Sequence, residues 1–227
     1  MLIDLHTHTF PNSDDSFLKP EELFRQAKAA GLDGVCLTDH DAFWAPAMLE
    51  RWSREYELVI LPGCEITTEE GHLLAFGLER YLFGMHHASF VRKEADALGA
   101  AIIAAHPYRR VFSPQDHRDP QVYQERVETV AAQPLWQMVE AIEVLNGRGT
   151  ASENGFSRDL ARRLGKPAVA TSDCHKSTDV GVCATRFSRP VRNVHDLIAE
   201  LKAGRCEPVS LGSPAPVKPP QPATGAR

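Results

Sequence analysis

Nowhere in the 227 residues is there an apolar run approaching the roughly 20 side chains that a bilayer-crossing helix needs. A cleaved secretory leader is not expected either, because it would carry away His6, a candidate metal ligand. The five cysteines (Cys36, Cys64, Cys174, Cys183, Cys206) are odd in number and contain no Cys-x-x-Cys pair. This argues against a disulfide frame and against a zinc–thiolate site, and for free thiols in a reducing, cytoplasmic setting. Positive charge is also scarce. The 25 Lys and Arg are outnumbered by 30 Asp and Glu, for a formal net charge of -5, so nothing favours broad attraction to nucleic acid. A small or single-stranded phosphate substrate held by a few local cations remains compatible. No membrane or protein partner is legible.

Short β-like runs alternate with helical ones. Strands are expected at Leu2–His6, Gly34–Thr38, Leu58–Leu61, His72–Phe76, Ala101–Ala105, Ala141–Leu145 and Ala168–Ser172. Most are apolar on both faces, as in a buried parallel sheet. Between them, helical spacing is expected over Pro20–Ala30, Ser89–Leu98, Pro120–Val139, Ser152–Leu164 and Val194–Lys202. Repeated strand-then-helix units predict an α/β fold with outer crossovers, and about seven strands favour a barrel over an open sheet. From about Ser213 the chain is dominated by Pro214, Pro216, Pro219, Pro220 and Pro222. One domain over residues 1–210 is therefore expected, followed at 211–227 by a disordered, proline-rich tail with no part in the chemistry.

The polar residues cluster where those strands end. His6 and His8 share a face at the end of the first strand, with Asp4 expected behind them, and Asp173 and His175 repeat the spacing after the last. His40, Glu65, His72 and His106 occupy similar positions. In a barrel, the C-terminal strand ends build the active site. Imidazole and carboxylate groups without thiolate suit Zn, Mn or Fe ions, two of which about 3.5–4 Å apart can activate water and neutralise phosphoryl oxygens. Glu65 is the natural bridging carboxylate. Cys174, between two candidate ligands, should turn away to pack. His86, His87, His117 and His195 lie outside the strand-end pattern and read as solvated or helix-terminal residues.

The ordered motifs Asp4-Leu-His6-Thr-His8, Leu37-Thr-Asp39-His40-Asp41, Gly63-Cys-Glu65, His72, Ala105-His106-Pro107-Tyr-Arg109, Glu143-Val-Leu-Asn146 and Ser172-Asp173-Cys-His175 resemble the polymerase and histidinol phosphatase (PHP) family of metal-dependent phosphoesterases. They span about residues 1–190. The resemblance implies a distorted (β/α)7 barrel, with a metal site of two or three divalent ions at the C-terminal ends of the strands. It assigns His6, His8, Glu65 and Asp173 to a first ion, and Glu65, His72 and His106 to a second. A third takes His40, His175 and a loop carboxylate. Counting back from Pro20 favours Asp15 for that carboxylate, while counting forward from His8 leans to Asp14; Asp15 is the expectation carried forward. The resemblance implies no side-chain nucleophile, since a metal-bound hydroxide attacks phosphorus. Arg109 matches a family position and can grip phosphate, and Arg148 is a second candidate. Asp39 and Asp41 are expected either to support His40 or to serve as turn residues.

The expected reaction is hydrolysis of a phosphomonoester or phosphodiester, with nucleotides and short oligonucleotides among the compatible substrates. Two rivals stand beside it. An amidohydrolase-type C–N hydrolase also uses His-x-His in a barrel, although no lysine occupies a middle strand to form the bridge typical of that group. A non-catalytic metal-binding PHP module would be expected to have lost ligands, and none of the core set is missing.

Overall fold

In the computed structural model, residues 1–113, 115 and 118–212 are described. The first half contains β1 (Leu2–Thr7), α1 (Pro20–Ala29), β2 (Gly34–Leu37), α2 (Pro46–Tyr56), β3 (Val59–Pro62), β4 (Cys64–Thr67), β5 (His72–Phe76) and α3 (Ala88–Leu98). The second contains β6 (Ala101–Ala104), α4 (Pro120–Ala131), β7 (Ala141–Asn146), α5 (Ala151–Leu164), β8 (Ala168–Thr171), β9 (Cys183–Phe187), α6 (Val194–Lys202) and β10 (Cys206–Ser210). All seven expected strands are present, within one or two residues at each end. His117 and residues 213–227, including the proline-rich run, lie outside the described residues.

Local chemistry explains where several helices start and stop. Pro20 opens α1, with Glu21 and Glu22 in its first turn and Lys28 in its last, each matched to the helix dipole. A capping box starts α5: Thr150 accepts from the Glu153 backbone and the Glu153 carboxylate accepts from the Thr150 backbone. Asp119 caps α4 by accepting from the backbone of Gln121 and Val122. The expected helix to Val139 is shorter than predicted. Helix α4 ends at Ala131 because Pro134 forces Gln133 into an extended conformation and starts a 3-10 turn over Pro134–Gln137.

Of the expected distorted (β/α)7 barrel, the topology shows the mixed α/β layers but not a ring of seven parallel strands. There are two five-stranded mixed sheets, ordered β10-β9-β1-β2-β3 and β4-β5-β6-β7-β8. The trios β1-β2-β3 and β6-β7-β8 are parallel, but β4 and β5, β5 and β6, β1 and β9, and β9 and β10 pair antiparallel. Among the described residues no single ladder closes on itself. The sheets instead meet at two seams. At one, β3 passes into β4 through Gly63, and His40 bridges to Glu65. A side chain at Gly63 would stand 2.7 Å from Thr38 Cγ2 and 2.9 Å from Phe76 Cε1, so only glycine fits. At the other, Thr7 bridges to Cys174, and the His8 amide donates to the Cys174 carbonyl at 3.1 Å. Both seams carry candidate site residues.

Between the sheets, Ile3 and Leu5 pack with Leu74, Phe76, Ile103, Ala141 and Val169. Helices α3, α4 and α5 cover the outer face of the second sheet, while α1 and α2 cover that of β1–β3. An irregularity between Asp4 and Thr7 shifts the register of β1 against β2. The carboxylate of Asp4 serves the backbone beside the His pair. Its Oδ1 accepts from the backbone amides of His6 at 3.3 Å and Ser172 at 3.0 Å, and burial raises its carboxyl pKa to about 6.

Candidate metal centre

Strand ends and the loops that follow them deliver nine predicted residues to one region: His6, His8, Asp15, His40, Glu65, His72, His106, Asp173 and His175. The innermost are His6, His8, Glu65 and Asp173, all essentially inaccessible to solvent. The Nε2 atoms of His6 and His8 lie 2.9 Å apart, and each is 3.1 Å from Glu65 Oε2. Asp173 Oδ1 is 3.6 Å from the first and 3.4 Å from the second.

Hydrogen bonds behind the rings fix which nitrogen faces this point. His6 Nδ1 lies 3.0 Å from Glu143 Oε1. Glu143 is also bonded by the Thr171 hydroxyl, the His106 amide and Asn146 Nδ2. A buried carboxylate accepts a proton-bearing Nδ1, so Nε2 is the atom His6 turns towards Glu65 and Asp173 and would offer to an ion once its own proton is displaced. For His8 the relay runs through Ser13, whose hydroxyl donates to Asp39 Oδ1 at 2.8 Å and accepts from His8 Nδ1 at 3.1 Å. The Ser13 hydroxyl also accepts from the His40 amide at 3.2 Å. Asp39 thus acts chiefly on Ser13, Thr9 and Trp44 rather than on the His40 side chain. Asp41 accepts from the Thr67 amide and is a turn residue at φ 50°.

Glu65 occupies the junction of the predicted sets. Its Oε1 is 2.7 Å from His72 Nδ1 and 2.9 Å from His106 Nε2, while its Oε2 is also 3.1 Å from His40 Nδ1. On the solvent side, Asp15 Oδ2 lies 2.9 Å from His175 Nε2 and 3.6 Å from His40 Nε2. Of the two loop carboxylates, Asp15 is the one that reaches the cluster. Within this cluster four groupings have ligand atoms mutually close enough for a metal: His8–Asp15–His40–His175, His6–His106–Asp173, His6–His8–Glu65 and His40–Glu65–His72. The grouping at His72 therefore takes in His40, a partner the sequence assigned elsewhere.

The electrostatics favour a cationic occupant. Glu65 Oε2 and Asp173 Oδ1 are buried without a hydrogen-bond partner, which is costly unless a cation stands opposite. Burial opposes charge on His6, yet Glu65, Asp173 and Glu143 raise its pKa well above the ordinary range. Burial also opposes charge on Glu65 and Asp173, and the surrounding imidazoles hold both well below the usual carboxylate range. Protons thus partly fill a role that divalent ions suit better, and metal binding would release them. The donor set, imidazole and carboxylate with no thiolate, fits Zn, Mn or Fe. His106 and Asp173 have φ of 25° and 53°, left-handed values rare outside glycine, so the backbone is strained where these side chains enter the site.

Both predicted arginines border the centre. Arg109 Nη2 donates to Asp173 Oδ2 at 2.6 Å, and Nη1 is 3.0 Å from His106 Nε2. Arg148 Nη1 lies 2.9 Å from His175 Nδ1. Cys174 is buried among Leu37, Val180 and Ala184, away from the cluster as expected, and all five cysteines are free thiols. Two supporting residues were given no role by sequence reasoning. Glu143 carried a signal, as a carboxylate within the apolar run of β7, whereas Ser13 meets His8 only because the loop folds back. His86 and His87 form a separate, largely exposed group with Glu69. Among the described residues no helix is long and apolar enough to cross a membrane.

Comparison with known proteins agrees with this geometry. The PHP domain family matches residues 4–133, and a PHP-associated family matches residues 151–206. An uncharacterized protein of Methanocaldococcus jannaschii is 29% identical over 121 residues, covering 48% of this chain and 68% of that protein. A two-domain protein of Bacteroides vulgatus, containing a predicted PHP-like metal-dependent phosphoesterase, superposes with a TM-score of 0.62 at 19% identity. The match covers 92% of this chain and 64% of that one, so this chain spans less than two thirds of its length. A structure from Chromobacterium violaceum, described as an amidohydrolase with bound sulfate and no metal, superposes with a TM-score of 0.57 at 17% identity, covering 92% and 98%. At these identities the two structures bear on the fold alone, and they are consistent with a distorted barrel. The matched domain covers more than half of the sequence and contains most of the clustered histidines, and on that ground this chain belongs to the PHP family.

Proposed function

We propose that the chain is a metal-dependent hydrolase of phosphate mono- or diesters. The observation that carries this reading is the convergence of the Nε2 atoms of His6 and His8 with two unpartnered carboxylate oxygens, with Glu65 shared towards His72 and His106. His6, His8, Glu65 and Asp173 would hold one divalent ion, Glu65, His72 and His106 a second, and Asp15, His40 and His175 a third. Such ions, when bound, neutralise phosphoryl oxygens and make water acidic enough to attack at neutral pH.

The remaining steps belong to the chain's own residues. Glu143 and the Asp39–Ser13 relay hold His6 and His8 in the Nδ1-protonated form, so no reorientation is needed. Arg109 and Arg148 are partly exposed beside the centre, within reach of Asp173 and His175, and would turn their guanidinium groups to the non-bridging oxygens of a bound phosphate. Phosphoryl transfer depends mainly on alignment and charge neutralisation, which fits a site with several cations and no side-chain nucleophile. The test is a phosphate-ester panel assayed with protein reconstituted in Mn, Fe or Zn, alongside elemental analysis. Metal uptake with phosphate release supports the reading. Turnover of amides or lactones alone would favour an amidohydrolase, and metal uptake without any turnover would favour a non-catalytic module.

A further inference from the structure

We infer that a cavity beside the metal centre receives the alcohol portion of the substrate and selects esters whose alcohol carries a planar, uncharged ring. This rests on the phosphoesterase reading above. The cavity measures about 240 Å³ and is walled by Ala104, Ala105, Val111, Leu135 and Trp136. It also borders His72, His106 and Arg109, so it is continuous with the predicted second-ion set and with one phosphate-binding arginine.

Its walls are apolar and already formed. Ala104 and Ala105, at the end of β6, contribute almost no bulk and thereby leave the space open. Leu135 and Trp136 come from the 3-10 turn that replaces the end of the expected helix. The Trp136 indole donates to the Val130 carbonyl at 2.5 Å, which holds the ring in place. Of the charged side chains that line it, Arg109 is held on the metal-centre side by Asp173 and His106, and Glu70 and Arg110 are already engaged by the backbone. Glu70 accepts from the Ala88 amide at 3.1 Å, and Arg110 Nη1 donates to the Thr68 carbonyl at 3.5 Å. A polyhydroxylated or charged alcohol would leave polar groups unpaired against these walls, whereas a ring would be desolvated without loss. The volume lies below the roughly 300–1,000 Å³ of drug-sized pockets, which suits one ring system rather than an extended chain.

The test uses the full chain, metal-reconstituted, with benzyl phosphate and ethyl phosphate, whose leaving alcohols have similar acidity. The benzyl ester is expected to show a kcat/KM at least about tenfold higher, carried mainly by KM, from burial of the ring. Val111→Trp and Gln133→Trp, both at lining positions, should fill the cavity and bring that ratio near one; Gln133 is exposed, so its variant is expected to fold. Calorimetry with benzylphosphonate and ethylphosphonate reads the same preference without turnover. A wild-type ratio near one, or a preference that survives both substitutions, overturns the cavity assignment. Failure to hydrolyse either ester counts against the phosphoesterase reading, while the phosphonate comparison still tests the cavity by itself.

Discussion

His6 and His8 are made useful by the groups behind them. Glu143 and Ser13 each occupy one Nδ1, so both Nε2 atoms face the same point. Removing such a supporting partner typically weakens metal affinity by roughly 10–100-fold. Ser13→Ala is therefore expected to weaken metal binding by about that factor while leaving the ligands in place, as read by competition with a chelating indicator. Unchanged affinity would remove the relay from the account. Glu65→Gln should act more strongly, because Glu65 is common to several groupings: bound metal and ester hydrolysis should fall together, checked by elemental analysis and phosphate release. At this scale the ligands were legible because His and Asp stand at the ends of apolar runs. Ser13 was not, since nothing in Pro11-Asn12-Ser13 reveals that its hydroxyl lies between Asp39 and His8.

At the scale of the element, the two seams matter most. Gly63 lets β3 continue into β4 and so carries Glu65 from one sheet to the other. Gly63→Ala should cost roughly 1–3 kcal/mol, because Thr38 and Phe76 have no room to give, and a denaturant melt would measure it. A stability equal to wild type would mean that the seam tolerates a side chain. The capping box gives a milder expectation: Thr150→Ala should cost about 1 kcal/mol by the same measurement. Strands buried on both faces were readable as apolar runs, whereas β4 was hidden because one residue separates it from β3. Helix α2 was missed because it buries only Leu49 fully and so shows no apolar stripe. Strands β9 and β10 were missed for a related reason: Thr185 and Arg186 break the apolar pattern of one, and Glu207 and Pro208 that of the other. The parallel expectation failed at β4 and β5 because the four residues between Thr67 and His72 let β5 reverse instead of crossing over.

For the whole molecule, the centre ties β1 to the loop beyond β8, as His6 meets Asp173 and, 160 positions apart, Asp15 meets His175. No unfolded chain holds these groups together, so a bound ion stabilises the folded state by mass action. Free metal at about 100 times its Kd should add about 2.7 kcal/mol and raise the Tm, and a chelator should reverse the shift. A Tm indifferent to both would separate the cluster from metal binding. The most direct measurement is elemental analysis of the purified chain after incubation with Mn²⁺, Fe²⁺ and Zn²⁺ and removal of free ions. The account predicts two or three tightly held ions per chain, and a chain that remained metal-free would contradict it.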